Sequence, residues 1–380
     1  MAGAAAAVSP PVEKADATAW IAVAAGALGA MLATLDISIV NSALPTIQGE
    51  IGATGTEGTW IATAFLVAEI IIIPLSAWME RLLGLRTLLI VAVSAFTAFS
   101  VLCGIATDLT TMIIGRTGQG FMGGALIPTA MTIVAKRLPP SQQPIGMALF
   151  GMTVVLGPVM GPLVGGWLTE NLSWHYAFFV NVPVCALLLA LLFIGLPHEK
   201  PDWVYLREAD WAGIAGMILG LGGLTIVLEE GHREEWFDST LIVQLTLMTV
   251  VGFALLTYGQ LYARKPVLKL RLMLSRQFAS VVVMALALGM VMYGSTYVIP
   301  QFLAIISDYN ALQTGLVIFW MGVPAFLLMP VLPFMIRRIH IRIAVGAGMF
   351  IMALSCFVSI NLTAESGGGV FTESQFLRGI

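Results

Sequence analysis

The sequence predicts an all-α integral membrane protein that crosses the bilayer many times. Its 380 residues are 58% hydrophobic and only 10% charged, with a mean hydropathy of +0.94. Soluble domains are nearer half apolar and a quarter charged. The apolar residues form continuous runs of about 20 residues, the length with which a helix crosses a bilayer. Transmembrane strands would instead show alternating segments of about ten residues.

The membrane spans are expected to follow one another with short connections. Eleven apolar runs lie near 19–44, 59–79, 85–105, 110–135, 144–168, 176–196, 211–228, 241–262, 278–305, 312–335 and 342–362. The first 18 residues are rich in Ala and Pro, and we expect them to be a disordered tail. They lack the basic start and short apolar core of a cleavable signal peptide.

The basic residues predict the orientation. With the N-terminus inside, 15 of the 18 Lys and Arg residues fall in cytoplasmic segments. Only Arg116, Arg233 and Arg378 do not. Basic residues are enriched on the cytoplasmic side of membrane proteins, so we expect a multi-pass protein of the inner (plasma) membrane with a cytoplasmic N-terminus.

An internal repeat predicts the domain organisation. Three pairs of identical residues share one offset, since 330 − 74, 337 − 81 and 342 − 86 are each 256; they are Pro74 and Pro330, Arg81 and Arg337, and Arg86 and Arg342. Parallel repeats of this kind characterise one large transporter architecture. We expect a six-helix bundle over 19–200, two linker helices over 201–265 and an incomplete second bundle over 266–380. A complete second bundle would bring the count to fourteen spans, so a C-terminally truncated chain is expected.

Asp36 lies at the centre of the first run, between Leu35 and Ile37. A carboxylate at mid-bilayer costs on the order of 3 kcal/mol on insertion scales. Removal from water disfavours its charged form, so such a group can bind and release a proton. We interpret Asp36 as a proton carrier and expect it to face a water-accessible cavity. The alternative is a structural carboxylate capped by a hydroxyl or an Asn.

The first run has two faces that suit contact with protein or water rather than lipid. Small residues share the face of Asp36, and Thr34, Ser38 and Asn41 form a polar stripe nearly opposite. Two such faces indicate a helix that lines a cavity. Asn41 is therefore a second candidate residue of a substrate cavity.

Glu69 stands at the middle of the second run, among Leu, Val, Ala and Ile residues. The same insertion cost predicts that it faces the cavity, where it is protonated, paired or part of a gate. It is also a candidate to bind cationic substrates. A neutral Glu that hydrogen-bonds a neighbouring helix is the structural alternative.

Arg116 lies inside the fourth run, with Gln119 on the same face three residues later. Arginine keeps its proton, so it needs an anion, backbone carbonyls or water. A cation that approaches and leaves a titrating carboxylate couples protonation to conformation. Structural hydrogen bonds to loop carbonyls remain the alternative.

The fifth run combines glycines and prolines at helical spacing. Gly157, Gly161 and Gly165 are four residues apart and make one bare helix face. Pro158 and Pro162 each remove a backbone donor and favour a kink. Such a helix suits the rocking of two bundles, whereas close packing alone would explain the glycines but not the prolines.

The loop after the second run is short and charged. Glu80, Arg81 and Arg86 are candidates for a cytoplasmic gate that latches the bundles through ion pairs, and ordinary membrane anchoring is the alternative. No phosphate-binding Gly loop, metal-ligand spacing or nucleophile set occurs, so we expect neither an enzyme nor a bound cofactor or metal. Nothing in the sequence suggests a nucleic-acid partner.

Four motifs together resemble the major facilitator superfamily, and within it the 14-span drug:proton antiporters of the EmrB/QacA type. They are Leu35 to Pro45, Arg116-x-x-Gln119-Gly120, Gly157-x-x-x-Gly161-Pro162-x-x-Gly165-Gly166, and Ser173 to Pro183. The resemblance runs from about residue 20 to 380. The sequence departs from the pattern after the second run, where Ser76 and Glu80 replace the usual Gly and Asp, and at His175, where Arg is common.

This resemblance implies a major facilitator fold, with about eleven of an expected fourteen helices present. It implies that Asp36 and Arg116 take part in proton coupling, to which we add Glu69, and that the glycines of the fifth span serve the antiport cycle. The expected substrate is a lipophilic, often cationic toxic compound. In bacteria with two membranes, such carriers can work with a periplasmic adaptor and an outer-membrane channel. An exporter of a specific metabolite or siderophore, or a remnant that does not transport, are the alternatives.

Overall fold

The structure is a computed structural model that describes residues 14–263, 265–268, 270, 275–309, 311–360, 363 and 366–380. Its elements are α1 (Ala17–Glu50), α2 (Gly55–Gly58), α3 (Trp60–Leu83), α4 (Leu85–Gly104), α5 (Leu109–Gly123), α6 (Leu126–Arg137), α7 (Gln143–Asn171), α8 (Tyr176–Phe179), α9 (Asn181–Gly195), α10 (Val204–Arg207), α11 (Trp211–Glu230), a 3-10 turn (Trp236–Asp238), α12 (Thr240–Tyr262), α13 (Arg276–Ile306), α14 (Ala311–Leu328), α15 (Leu332–Arg338), α16 (Ile341–Val358) and α17 (Gly369–Arg378). The all-α prediction is confirmed.

Nine helical segments within these ranges are long and apolar enough to cross a membrane. They correspond to nine of the eleven expected runs. The other two runs each divide into two helices for lack of backbone donors. Pro128 has no N–H to donate to the carbonyl of Gly124, the residue after α5. Pro330 lies in the turn between α14 and α15.

α1 is the central helix of the first bundle. It starts at Ala17, because the Asp16 side chain accepts a hydrogen bond from the Ala19 backbone N–H at 2.9 Å and caps the first turn. This start lies within the predicted tail over 1–18, of which residues 1–13 are outside the described ranges. α1 continues through Pro45 and packs against α6, α7 and α9. The small residues on the Asp36 face are all buried, as the helical spacing predicts.

Two apolar clusters hold the first bundle together, one towards each end of α1. The first joins α1 to α4, α6 and α9 around Leu32, Phe96 and Leu188. The second includes Ile47 and Trp174. Because side chains from distant parts of the chain meet in both clusters, the midpoint of α1 lies between two packed layers and is closed to lipid.

The two helices predicted as linkers pack as a pair against α3. Apolar side chains of α3 contact Ile214 and Met217 of α11 and Leu256 of α12. At one end of α3, Trp78 meets Trp211 edge to face with 6.4 Å between ring centroids. The pair is therefore attached to α3 mainly through α11, on which α12 packs, while the predicted boundaries 201–265 stay a prediction.

The second part of the chain, α13 to α17, meets the first bundle through α7. Gly322 of α14 lies against Val159, and Gly315 of the same helix lies against Pro162 and Leu163. α17 packs on α14 and α16 with Phe371 and Arg378 buried. α7 is thus the helix through which the two parts contact each other.

Candidate functional site

Asp36 and Arg116 form a buried ion pair at the middle of the first bundle. Arg116 Nη1 lies 2.6 Å from Asp36 Oδ2, and the two side chains are 1% and 0% exposed, respectively. The residues are 80 positions apart in sequence and come from α1 and α5. The sequence predicted that each needs a partner, and the structure brings the two together.

Three further polar side chains surround the Asp36 carboxylate. Asn181 of α9 donates from Nδ2 to Asp36 Oδ1 at 2.6 Å, and Gln119 of α5 donates from Nε2 to the same oxygen at 3.2 Å. The hydroxyl of Ser100, on α4, accepts from Gln119 at 2.7 Å and from Asn181 at 3.3 Å. Hydrogen bonds to a carboxylate are charge-assisted and are stronger than those between neutral groups.

Arg116 has contacts of its own besides Asp36. Its Nε donates to the Ile61 carbonyl at 3.2 Å, and its Nη1 donates to Gln119 Oε1 at 3.1 Å. The guanidinium carbon lies 4.2 Å from the ring centroid of Phe65, in range of a cation–π interaction. These contacts come from α3 and α5. If Arg116 moves away from the carboxylate, its guanidinium therefore still has hydrogen-bond acceptors and an aromatic ring beside it.

The start of α5 is positioned by a helix cap. The Thr111 backbone N–H donates to Asp108 Oδ1 at 2.9 Å, and the Thr111 hydroxyl donates to Asp108 Oδ2 at 2.7 Å. These two hydrogen bonds hold the pKa of Asp108 below its ordinary value. The cap is therefore complete above the ordinary pKa of an Asp and is lost as the pH falls through the lowered value.

The predicted water access of Asp36 is absent from this conformation. The side chains of Asp36 and Gln119 are 0% exposed, because helices α1, α4, α5 and α9 close over them. Asn41 is exposed on another face of α1 and makes no contact with the ion pair. The assignment of Asp36, Asn41 and Gln119 to a substrate cavity stays a prediction.

Glu69 is not hydrogen-bonded to the ion pair, but it lies close enough to interact electrostatically with both Arg116 and Asp36. Its side chain packs against Gly124, where α5 gives way to α6, and is 9% exposed. Within the described residues, no hydrogen bond or ion pair to Glu69 is found. Glu69 therefore differs from Asp36 in making no direct ion pair among the described residues, although it interacts electrostatically with Arg116.

The predicted glycine face of α7 lies against α1. A Cβ on Gly157, Gly161 or Gly165 would clash with Thr34, Ser38 or Ser42, respectively. Thr34 and Ser38 of the polar stripe therefore contact α7, whereas Asn41 of the same stripe is exposed, so a cavity on this face of α1 stays a prediction. The hydroxyls on this face bond to carbonyls of α1 itself, which satisfies them without water.

The remaining α7 and loop residues have separate positions. Gly166 has nothing within 4 Å of its Cβ position. Glu80 pairs with Lys136 of α6 at 2.6 Å, so its ion pair lies within the first bundle and does not join the two bundles. Arg81 is exposed, and Arg86 stacks on the Phe193 ring at 5.3 Å. Gating by this loop stays a prediction.

Sequence reasoning missed Asn181 and Ser100 as members of the site. Asn181 sits between two valines at the start of α9, so the insertion cost that identified Asp36 also applies to it. Ser100 gave no usable signal, because serines in membrane helices commonly bond to their own backbone.

This arrangement defines a class of protein. A helical bundle with a charged pair enclosed at its centre, and a second helical part meeting it through one helix, is typical of carriers built from two bundles. The family model of the Major Facilitator Superfamily matches residues 26–380. The chain belongs to this superfamily; it is a multi-pass membrane transporter and not an enzyme.

Sequence similarity to named relatives places the chain in a smaller group within the superfamily. The chain is 33% identical to the colistin resistance protein EmrB of Acinetobacter baumannii over 363 residues, which are 96% of this chain and 71% of the relative. It is 32% identical to the multidrug export protein EmrB of Escherichia coli K12 over 355 residues, 93% of this chain and 69% of the relative. The predicted family, the drug:proton antiporters of the superfamily, is confirmed.

Solved structures support the fold. The proton:xylose symporter XylE superposes with a TM-score of 0.64 at 15% identity, covering 95% of this chain and 78% of the symporter. The human organic anion transporter MFSD10 gives 0.58 at 16% identity, covering 98% of this chain and 85% of that protein. At these identities the likeness concerns the fold alone.

Proposed function

We propose that this chain exports lipophilic, often cationic toxic compounds in exchange for protons by alternating access. The single observation that carries the proposal is the enclosed ion pair between Asp36 and Arg116. Relatives of the chain are named for resistance to colistin, to multiple drugs and, in Neisseria gonorrhoeae, to fatty acids. These names support a lipophilic substrate, and a buried pair of opposite charges supports coupling to protons.

The ion pair supplies two states of different proton affinity. In the first state, Arg116 lies 2.6 Å from the Asp36 carboxylate and Asn181 donates to it. A rocking movement that separates α5 from α1 removes the cation and leaves a carboxylate in a medium of low dielectric. Such a group binds a proton readily. Return of Arg116 expels that proton.

Arg116 does not require Asp36 in the second state. The Ile61 carbonyl and Gln119 Oε1 already accept from its guanidinium, and the Phe65 ring lies beneath it. When Arg116 leaves Asp36, its guanidinium therefore keeps its neutral acceptors, and the free-energy cost of losing the carboxylate is modest. Asp36 keeps only the neutral donor Asn181 when α5 withdraws, so its charge is the one left without an opposite charge, which is why we assign the proton to it.

Glu69 is proposed to line the substrate cavity and to take part in coupling, and Asn41 to line the same cavity. The Glu69 side chain is 9% exposed and makes no ion pair among the described residues, although it interacts electrostatically with Arg116. A cationic substrate would provide the missing opposite charge. A proton would do the same when no substrate is bound, so substrate and proton compete for this group.

The setting of the transporter follows from the family and the charge pattern. We propose an inner-membrane location with the N-terminus in the cytoplasm, based on the bias of basic residues to one side. In a cell with two membranes, a periplasmic adaptor and an outer-membrane channel are proposed partners, by resemblance to related antiporters.

Transport by the purified chain in proteoliposomes with an imposed pH gradient tests the proposal. Ethidium movement and lumenal pH are followed together, for the unmodified chain and for Asp36→Asn. We expect Asp36→Asn to abolish coupled ethidium and proton movement while the protein still inserts. Glu235→Gln, which alters an exposed acid in a loop, is the matched control and should transport normally. Unchanged coupled movement in Asp36→Asn would refute the proton-carrier assignment.

A further inference from the structure

A basic cavity lies at one end of the first bundle, away from the ion pair. Its volume is about 330 Å³, and its lining includes Arg86 of α4, Lys136 and Arg137 of α6, and Leu196 and Glu199 after α9. A second cavity shares Arg86 and continues along α4 and α9. Three cations around one small cavity attract an anion, and the predicted orientation places this end in the cytoplasm.

The two arginines of this cavity are available to a ligand. Neither Arg86 nor Arg137 has an ion-pair partner within 4.0 Å in the described part of the chain. Arg137 Nη2 donates to the Gly195 carbonyl at 3.2 Å and to the Thr18 hydroxyl at 3.3 Å. Its Nε is buried and has no hydrogen-bond acceptor. A buried donor without an acceptor is costly, and an anion in the cavity would satisfy it.

The carboxylates near the cavity are already engaged. Glu199 accepts from the Leu85 backbone N–H at 2.6 Å and so caps the start of α4. Glu80 pairs with Lys136, whose side chain remains 52% exposed. Glu199 keeps its charge, and Asp16 interacts electrostatically with Arg137, but neither carboxylate forms an ion pair with Arg86 or Arg137.

Exposed apolar side chains extend from the cavity along the membrane-spanning surface. Ile90, Val91 and Phe193 line the adjoining cavity with Arg86, and Val91 and Phe193 are 46% and 53% exposed. The Arg86 guanidinium stacks on the Phe193 ring. The basic cavity therefore adjoins an apolar strip between α4 and α9. A small soluble anion in the cavity would leave this strip uncovered.

We propose that this pair of cavities binds an anionic phospholipid. The phosphate of the headgroup contacts Arg86 and Arg137, and an acyl chain lies along the strip formed by Ile90, Val91 and Phe193. Basic pockets between transmembrane helices on the cytoplasmic side suit such headgroups. The lipid would join α4, α6 and α9 at the end where α9 leaves the bundle.

Lipid titration of the delipidated, detergent-solubilised chain tests this site. Native mass spectrometry counts bound dioctanoyl phosphatidylglycerol for the unmodified chain, Arg86→Gln, Arg137→Gln and the double variant. We expect binding about fivefold weaker for each arginine removed. Arg207→Gln, an exposed cation of α10 outside both cavities, is the matched control and should bind as the unmodified chain does.

Two further arms separate the possible ligands. Dioctanoyl phosphatidylcholine should bind at least fivefold more weakly than phosphatidylglycerol, and 10-fold molar excess inorganic phosphate should not displace the lipid. Arg86 makes no hydrogen bond to protein among the described residues, so Arg86→Gln retains the fold even if Arg137→Gln does not. Equal binding of both lipids, displacement by phosphate alone, or full binding by Arg86→Gln would each overturn the proposal.

Discussion

Arg116 on α5 and Asp36 on α1 are joined by a 2.6 Å contact in a position closed to solvent. Burying two charges is expensive, and their attraction offsets the cost only when the geometry is good and the other hydrogen bonds are satisfied. Here Asn181 and Gln119 donate to the carboxylate, and Ile61 accepts from the guanidinium. The pair therefore depends on these three partners, and its energetics can be measured by substitution.

Removing one charge of the pair should destabilise the protein more than removing both. Arg116→Gln leaves Asp36 buried without a cation, which we expect to cost about 3 to 5 kcal/mol of unfolding free energy. The double variant Asp36→Asn with Arg116→Gln leaves no unpaired charge and should recover at least about 1 kcal/mol relative to the sum of the single variants. Equilibrium unfolding in micelles measures the cycle. Additive losses would show that the two charges do not interact.

Asn181 should contribute to the same site without carrying charge. Asn181→Leu removes its hydrogen bond to Asp36 Oδ1 and the weaker bond to Ser100. Hydrogen bonds to a charged group are worth about 1.5 to 3 kcal/mol, so unfolding free energy should fall by that amount. Coupled ethidium and proton movement should weaken as well, because the Asp36 carboxylate loses one of its donors. Asn171→Leu, at the exposed end of α7, is the control and should change neither quantity.

Gly161 should be intolerant of any side chain, whereas Gly166 should accept one. Gly161→Ala places a Cβ against Ser38, and because α1 cannot move away without disturbing the ion pair, we expect a loss of about 1 to 3 kcal/mol. Gly166→Ala meets nothing within 4 Å and should be neutral or slightly stabilising through helix propensity. Thermal unfolding of the two variants measures the contrast. Equal midpoints would mean that α7 and α1 are not closely packed.

Glu230 should stabilise the attachment of α11 to α3, and its neighbour Glu229 should not. The Thr63 hydroxyl donates to Glu230 Oε1 at 2.7 Å, and Arg233 Nη1 lies 2.6 Å from Oε2. Glu230→Ala leaves the Thr63 hydroxyl buried without an acceptor, which we expect to cost about 1 to 3 kcal/mol. Glu229→Ala changes an exposed side chain and should stay within about 0.5 kcal/mol. Protease accessibility of the loop before α12 gives a second readout, which should increase only for Glu230→Ala.

The positions of most helices could be predicted from hydropathy alone. The second and third runs were expected over 59–79 and 85–105, and the helices are Trp60–Leu83 and Leu85–Gly104. Hydropathy did not predict the break after α5, because the sequence stays apolar across it. The missing donor of Pro128 acts four residues earlier in the chain, inside a run that remains apolar throughout.

Which residues contact each other in the site was harder to predict than which charged residues belong to it. Insertion cost identified Asp36, Glu69 and Arg116 one residue at a time, because each is charged within an apolar run. Nothing in a local pattern pairs Asp36 with Asn181, which is 145 positions away. The polar stripe of α1 illustrates the same limit, since hydroxyls that contact bare glycines and hydroxyls that face water look alike in sequence.

α1 lies between the ion pair on one side and the glycines of α7 on the other. Ser38 meets Gly161 almost without a gap, while Asp36, two residues earlier, points the opposite way into its polar partners. The outer flank of α7 in turn bears on α14 through Val159 and Gly322. Because α7 approaches α1 through bare glycines, a displacement of α7 towards α1 would have to move the helix that carries Asp36.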